Sequence, residues 1–328
     1  MKHTIPLWRQ IQRENFTRIE SLLDFLEMSD EKRKKILISP RFSLNLPKRL
    51  AEKIEKNTLD DPIFLQFVPL IDETKEASGF TLEPLQDQSF RKTKKILQKY
   101  QGRALVLASG ACAMHCRFCF RQNFPYETEE PGFTKEIEFL SKDPSLTEVI
   151  LSGGDPLSLS NDSLFSLFKS LDEIPHLRRI RFHTRFPIGI PERVDDSFLE
   201  TLKNSQKQIV FIIHCNHPKE LDSDVLFALK KISCLGIPVL NQSVLLKGVN
   251  DNSTVLAALS ESLINAGFIP YYLHELDPIQ GAAHFALSPS IGPSLIRSMQ
   301  EQLPGYGIPH LVRETPGYPS KSFITTSE

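Results

Sequence analysis

Cys112, Cys116 and Cys119 lie in the run ACAMHCRFCFR that spans residues 111–121, with the spacing Cys-x3-Cys-x2-Cys. Three thiolates this close together can hold three corners of a cubane iron–sulfur cluster. The fourth iron is then left without a protein ligand, open to a small chelating molecule. Two plainer readings compete. A zinc site needs four ligands, usually as Cys-x2-Cys pairs. No second pair exists in the chain, and His115 could complete four ligands only from a poor position inside the loop. The three cysteines could also be small buried residues with no metal at all.

A loop of this kind must be carried by regular elements. Six short segments rich in Val, Ile, Leu or Phe read as buried parallel strands: 103–109, 148–152, 178–183, 209–214, 239–245 and 269–274. Helical periodicity fills the intervals at 135–140, 163–171, 195–202, 222–232 and 254–266. Alternation of this kind implies right-handed βαβ units. The expected fold is α/β, a partial (β/α)6 barrel whose chemistry gathers at the carboxyl ends of the strands. Polar residues do follow the strands. They are the cysteine loop, then Ser152, Gly153, Gly154 and Asp155, then His183 to Arg185, and then His214 to His217. Strand five contains Asn241 to Ser243, and strand six leads to Asp277. The paired glycines would let backbone approach a ligand or adopt positive φ, or they form an ordinary turn.

Outside the barrel the chain divides simply. Residues 1–95 read as a helical and irregular N-terminal extension, with helical spacing at 19–28 and 46–54 and no visible chemistry in the acidic, proline-bearing loop 60–84. The barrel is expected over 96–300. The stretch 301–328 is a tail, rich in Gly, Pro and Ser beyond residue 306. The net charge of −1 gives no global field to recruit nucleic acid or an anionic membrane. No apolar run is long enough for a membrane helix and the start lacks a signal-peptide core, so a cytoplasmic enzyme is expected. Two basic runs, 32–35 and 91–95, are expected as solvated helix faces. Five cysteines, three of them clustered, argue against a disulfide framework, and Cys215 and Cys234 are expected in the core.

The cysteine spacing is that of the radical S-adenosylmethionine (SAM) superfamily, in which the open iron takes SAM. The runs RALVL (103–107), CAMHCRFCFR (112–121), LSGGDPL (151–157), HCNHP (214–218), NQSVLLKGVND (241–251), PYY (270–272) with Asp277, and PSK (319–321) resemble the lysine 2,3-aminomutase family. The likeness covers about residues 60–323 and is strongest to the short branch that makes (R)-β-lysine for elongation factor P.

That resemblance implies three cofactors: a [4Fe-4S] cluster on Cys112, Cys116 and Cys119, SAM, and pyridoxal 5′-phosphate (PLP). It implies that Lys321 forms the imine with PLP, although a lysine in a polar tail would otherwise read as a solvated charge. Tyr100 and Arg103 match positions near the PLP phosphate, and Lys99 replaces a family arginine there. Ser152, Gly153, Gly154, Asp155, Arg185, His214 and Gln242 are implied as further cofactor-binding residues. Arg121 matches the arginine that clamps the substrate carboxylate. Asp277 and Glu314, the latter in place of an aspartate, match the partners of the ε-ammonium. Two carboxylates there would repel a glutamate substrate. The implied partners are L-lysine, a reductant such as flavodoxin or ferredoxin, and elongation factor P with its β-lysine ligase. No nucleic acid or membrane is expected. A radical SAM aminomutase for another amino acid, a radical SAM maturase without PLP, and a zinc-stabilised binding module are the other readings.

Overall fold

A computed structural model describes residues 5–126 and 131–325. Among them ten strands form one sheet in chain order. They are β1 (Arg91–Thr93), β2 (Ile96–Leu97), β3 (Arg103–Ser109), β4 (Glu148–Gly153), β5 (Arg179–Thr184), β6 (Gln208–His214), β7 (Val239–Val244), β8 (Ile269–His274), β9 (His310–Arg313) and β10 (Ser322–Phe323). β3 to β9 are parallel, β1 and β2 extend one edge antiparallel, and β10 extends the other. The six expected strands are present. The seventh parallel strand, β9, was not expected, and strands on both sides of 96–300 join the same sheet.

The sheet curls into a partial barrel. Six interstrand steps of ~4.8 Å would place the neighbourhoods of β3 and β9 ~29 Å apart in a flat sheet. Yet Lys99, just before β3, has its Nζ 3.0 Å from a carboxylate oxygen of Glu314, just after β9. Register assigns the two faces. Phe182 pairs with Phe211 and Phe211 with Val239, and these face the helices. Phe168, Phe182, Phe198 and Phe211 pack there as an aromatic cluster. On the other face His183 pairs with Ile212, His214 with Gln242, and Gln242 with Tyr272, so these polar residues look into the barrel.

The connecting helices begin where the sequence supplies caps. Ser160, Asp195, Asp222 and Asn252 each accept a hydrogen bond from a backbone N–H of the first turn, at 2.8–3.2 Å. The N-terminal extension packs into the same hydrophobic core, through Trp8, Leu22, Phe64 and Phe67. Two expectations need correction. The basic run 91–95 is strand β1 and its sequel, not a helix face, and Lys95 is buried with its ammonium on the Gly132 carbonyl. Cys215 is buried as expected, but Cys234 caps the exposed end of the helix Ser223–Ser233. The tail supplies β9 and β10. No helix of the described residues is long and apolar enough to cross a membrane.

Candidate active site

The cysteine loop leaves β3 and is held by the N-terminal extension. His115 N–H donates to the Asn45 carbonyl at 2.9 Å, and Arg117 N–H to the Gln66 carbonyl at 2.9 Å. Asn45 Nδ2 donates to the Cys112 carbonyl at 3.2 Å, and Asn15 Nδ2 to that of Ala113 at 2.8 Å. Arg117 is buried and ties the loop to the Phe42 carbonyl at 2.7 Å and to the Glu73 carboxylate. Burial pushes the Cys119 thiol up to about 11, the Cys116 thiol adding to it, and burial raises Cys112 and Cys116 as well. Ligation to iron overcomes such a rise by displacing the protons. Among the described residues no three His, Cys, Asp or Glu side chains converge as they would about one metal ion. A cubane takes each thiolate at a separate corner, and the three cysteines of one loop fit it.

Gly153 and Gly154 are required by the chain itself. A Cβ on Gly154 would stand 2.5 Å from the Ala111 carbonyl oxygen, and one on Gly153, at φ +113°, would stand 2.6 Å from that of Ser109. The closeness serves hydrogen bonds from Gly154 N–H to the Ser109 carbonyl at 2.6 Å and from Asp155 N–H to that of Ala111 at 2.8 Å. The end of β4 thus clamps the residue before Cys112. Asp155 is also committed. Its carboxylate accepts from the Thr184 hydroxyl at 2.7 and 2.9 Å and from the backbone N–H groups of Leu157, Arg185 and Phe186 at 2.8–3.0 Å. Burial nonetheless raises this carboxyl to about 6.

Arg185 follows β5 and is buried against Cys116. Its Nη1 donates to the Cys116 sulfur at 2.8 Å, and its Nη2 to Gln66 Oε1 at 2.6 Å and Glu220 Oε2 at 2.7 Å. His214, at the end of β6, is held neutral: burial lowers it to about 3, and its Nε2 lies 3.2 Å from Asn216 Oδ1. Burial likewise lowers His183 and His274 well below the ordinary imidazole value. Gln242 Nε2 lies 3.5 Å from His183 Nδ1, while His183 Nε2 is buried with no partner among the described residues.

Alternating charges run through the barrel interior. Arg121 Nε meets Asp87 at 2.7 Å, Asp87 meets Lys99 at 2.6 Å, Lys99 meets Glu314 at 3.0 Å, and Glu314 meets Lys321 at 2.5 Å. Arg121 Nη1 also lies 3.5 Å from Ser152 Oγ. Burial works against the Glu314 carboxylate, but Lys321 and Lys99 outweigh it and hold its pKa well below the usual range. Among the described residues Asp277 makes no hydrogen bond or ion pair through its side chain. Burial and the nearby Glu314 charge raise it to about 7, against the pull of Lys321 and Lys99. Arg103 lies with its guanidinium 5.0 Å over the Tyr100 ring and has no ion pair among the described residues, so it is a cation available to an anionic ligand.

Known proteins place the chain in a family. Residues 100–182 match a family described as a 4Fe-4S single cluster domain. The L-lysine 2,3-aminomutase of Haemophilus influenzae is 40% identical across 96% of this chain and 94% of its own length. The chain belongs to the L-lysine 2,3-aminomutase family. The protein of that name from Escherichia coli is 41% identical across 86% of this chain and 83% of its own, and that from Acetoanaerobium sticklandii 31% across 94% and 76%.

Within this aminomutase chain, the site does not lie only across the strand ends. Tyr100 and Arg103, the residues expected near a PLP phosphate, stand at the amino-terminal start of β3, so the expected site would extend from the strand ends down the inner face of the barrel. Arg121, Asp277, Glu314 and Lys321 come together, and Lys99 joins them. Its ammonium meets Asp87, Glu314 and the Leu85 carbonyl at 2.6–3.0 Å. A cavity of about 1080 Å³ adjoins the start of the cysteine loop at Ser109, Gly110 and Ala111, and none of Arg121, Asp277, Glu314 and Lys321 lines it. Sequence reasoning missed Asp87, Gln66 and Glu220. No local motif marks the first two, and only the short spacing to the 214–218 run hints at Glu220.

Proposed function

We propose that this chain isomerises L-lysine to β-lysine, using SAM on a [4Fe-4S] cluster held by Cys112, Cys116 and Cys119, and PLP anchored by Lys321. The charge run from Arg121 to Lys321, with Asp277 beside it, carries the reading. It offers a guanidinium for one end of lysine and two carboxylates for the other. When bound, the cluster and SAM supply hydrogen abstraction at an unreactive C–H bond, and PLP supplies a conjugated system across which nitrogen moves between neighbouring carbons.

The residues have separable tasks. Arg121, oriented by Asp87, clamps the α-carboxylate with its free edge. Asp277 and Glu314 receive the ε-ammonium. An arriving cation favours the ionised form of Asp277, so substrate binding itself charges that carboxyl. Lys321 and Lys99 together keep Glu314 ionised. Arg103 and Tyr100 hold the PLP phosphate, and the second carboxylate disfavours a glutamate side chain. The neutral histidines keep like charge away from Lys321, and the N-terminal extension closes the cluster loop from water. The product is (R)-β-lysine for elongation factor P by way of its ligase, the electron comes from a flavodoxin or ferredoxin, and the enzyme works in the cytoplasm. The test is an anaerobic assay of reconstituted enzyme with SAM, PLP, reductant and L-lysine, beside Lys321→Ala. β-Lysine from the wild type and none from the variant is expected. No β-lysine from wild type with cluster and PLP loaded would overturn the reading.

A further inference from the structure

The N-terminal extension does more than cover the barrel. Its helix Pro62–Phe67 is capped by Asp61, whose carboxylate accepts from the N–H groups of Ile63 and Phe64 at 2.8 and 3.1 Å. The cap fixes Gln66 and Phe67 at the base of the cysteine loop. Gln66 is fully buried, and its carbonyl receives Arg117 N–H at 2.9 Å from within the loop. Its side chain works in the opposite direction. Gln66 Oε1 accepts from Arg185 at 2.6 Å and from Asn216 at 2.9 Å, and Nε2 donates to Glu220 at 3.1 Å. The Arg185 guanidinium lies 4.7 Å over the Phe67 ring and 5.5 Å over that of Phe118. With its plane fixed, one N–H points at the Cys116 sulfur at 2.8 Å. Glu220, 0% exposed, supplies the balancing charge and is itself saturated by Asn216 N–H at 3.0 Å and His217 N–H at 2.9 Å.

We propose that Arg185 is a positioning residue that sets the reduction potential of the iron–sulfur cluster through Cys116, and that Gln66 and Glu220 fix its strength. The proposal rests on the reading of Cys112, Cys116 and Cys119 as cluster ligands. A reduced cluster carries more negative charge on its sulfurs than an oxidised one, so an N–H donor and a nearby cation stabilise the reduced form more. Arg185 pulls the potential up, and Glu220 offsets part of that pull. The arginine is thereby spent on the cluster rather than on a SAM carboxylate.

The two charges make opposite predictions, which a merely structural role does not. Full-length enzyme is reconstituted anaerobically with iron and sulfide, its iron content is measured, and the cluster is titrated by electron paramagnetic resonance without SAM. At a fixed potential, Arg185→Gln is expected to lower the ratio of reduced to oxidised cluster about tenfold, a shift of ~59 mV for one electron. Glu220→Gln is expected to raise it, and Arg185→Lys to fall between wild type and Arg185→Gln. If Arg185→Gln binds no cluster, the direction of the Glu220→Gln shift decides. Equal potentials in loaded variants, or shifts of one sign, would overturn the inference while leaving the cluster reading intact. Absence of a cluster from wild type would overturn both.

Discussion

Asp277 offers a test in which stability and function move in opposite directions. Its carboxyl sits at about 7 in the folded protein, against about 3.9 in an unfolded chain. The folded state therefore holds a proton that the unfolded state has lost between those two values. Stability falls as pH rises from about 4 to about 7 and stays lowered above it. At pH 8 the cost is on the order of 4 kcal/mol, since each pH unit between the two values is worth ~1.4 kcal/mol. Asp277→Asn removes that titration while keeping the shape of the side chain. The cofactor-free variant is expected to unfold at higher temperature than wild type at pH 8, with the difference vanishing near pH 4. The readout is thermal unfolding across pH 4–9. In the same variant the ε-ammonium loses a charged partner worth about 1.5–3 kcal/mol, so kcat/KM for lysine should fall about ten- to hundred-fold. Parallel stability profiles for the two proteins, or a variant less stable at pH 8, would refute the assignment of Asp277 as a strained carboxyl kept for a cation.

Other substitutions probe separate parts of the site. Gly154→Ala places a Cβ against the Ala111 carbonyl; it should reduce iron bound per chain after reconstitution while leaving PLP binding unchanged, checked by iron assay and absorbance. Arg103→Gln removes the unpaired cation beside Tyr100 and should weaken PLP affinity roughly tenfold, the worth of ~1.4 kcal/mol, measured by equilibrium dialysis. Glu314→Gln leaves Lys99 and Lys321 without their shared anion; it should raise KM for lysine more than it lowers kcat, read from steady-state kinetics.

The parts of this molecule that were legible in the sequence are those written locally. The strands announce themselves as short apolar runs, the glycine pair closes β4, and the cysteines and Arg121 form one continuous motif in the loop that leaves β3. β9 escaped notice because four residues in a Gly- and Pro-rich stretch carry too little periodicity, and its place is set by pairing with β8. Asp87 and Gln66 escaped for a different reason. Their partners are distant in the chain, 119 residues away in the Gln66–Arg185 bond, and nothing near Gln66 distinguishes it from any other glutamine on a short helix. Lys99 shows the same limit. Its place beside Tyr100 marks it as the substitute for a family arginine, but nothing near it in the chain foretells the contact with Glu314, 215 residues on.

Glu314 directly follows β9, and Lys321 directly precedes β10, where Arg313 pairs with Ser322. The acid proposed to read the far end of the substrate and the amine proposed to hold the cofactor therefore face each other just beyond the last paired rung of one hairpin. Their separation is fixed by backbone pairing and is indifferent to the length of the turn between them. Substrate choice and cofactor attachment travel together as one transplantable cassette. Grafting residues 313–322 from a relative with another acid–lysine pair would move both of these contacts in a single step, leaving Arg121 and Asp277 in place, whereas a one-residue slip of the whole hairpin against β8 would turn both side chains out of the barrel at once.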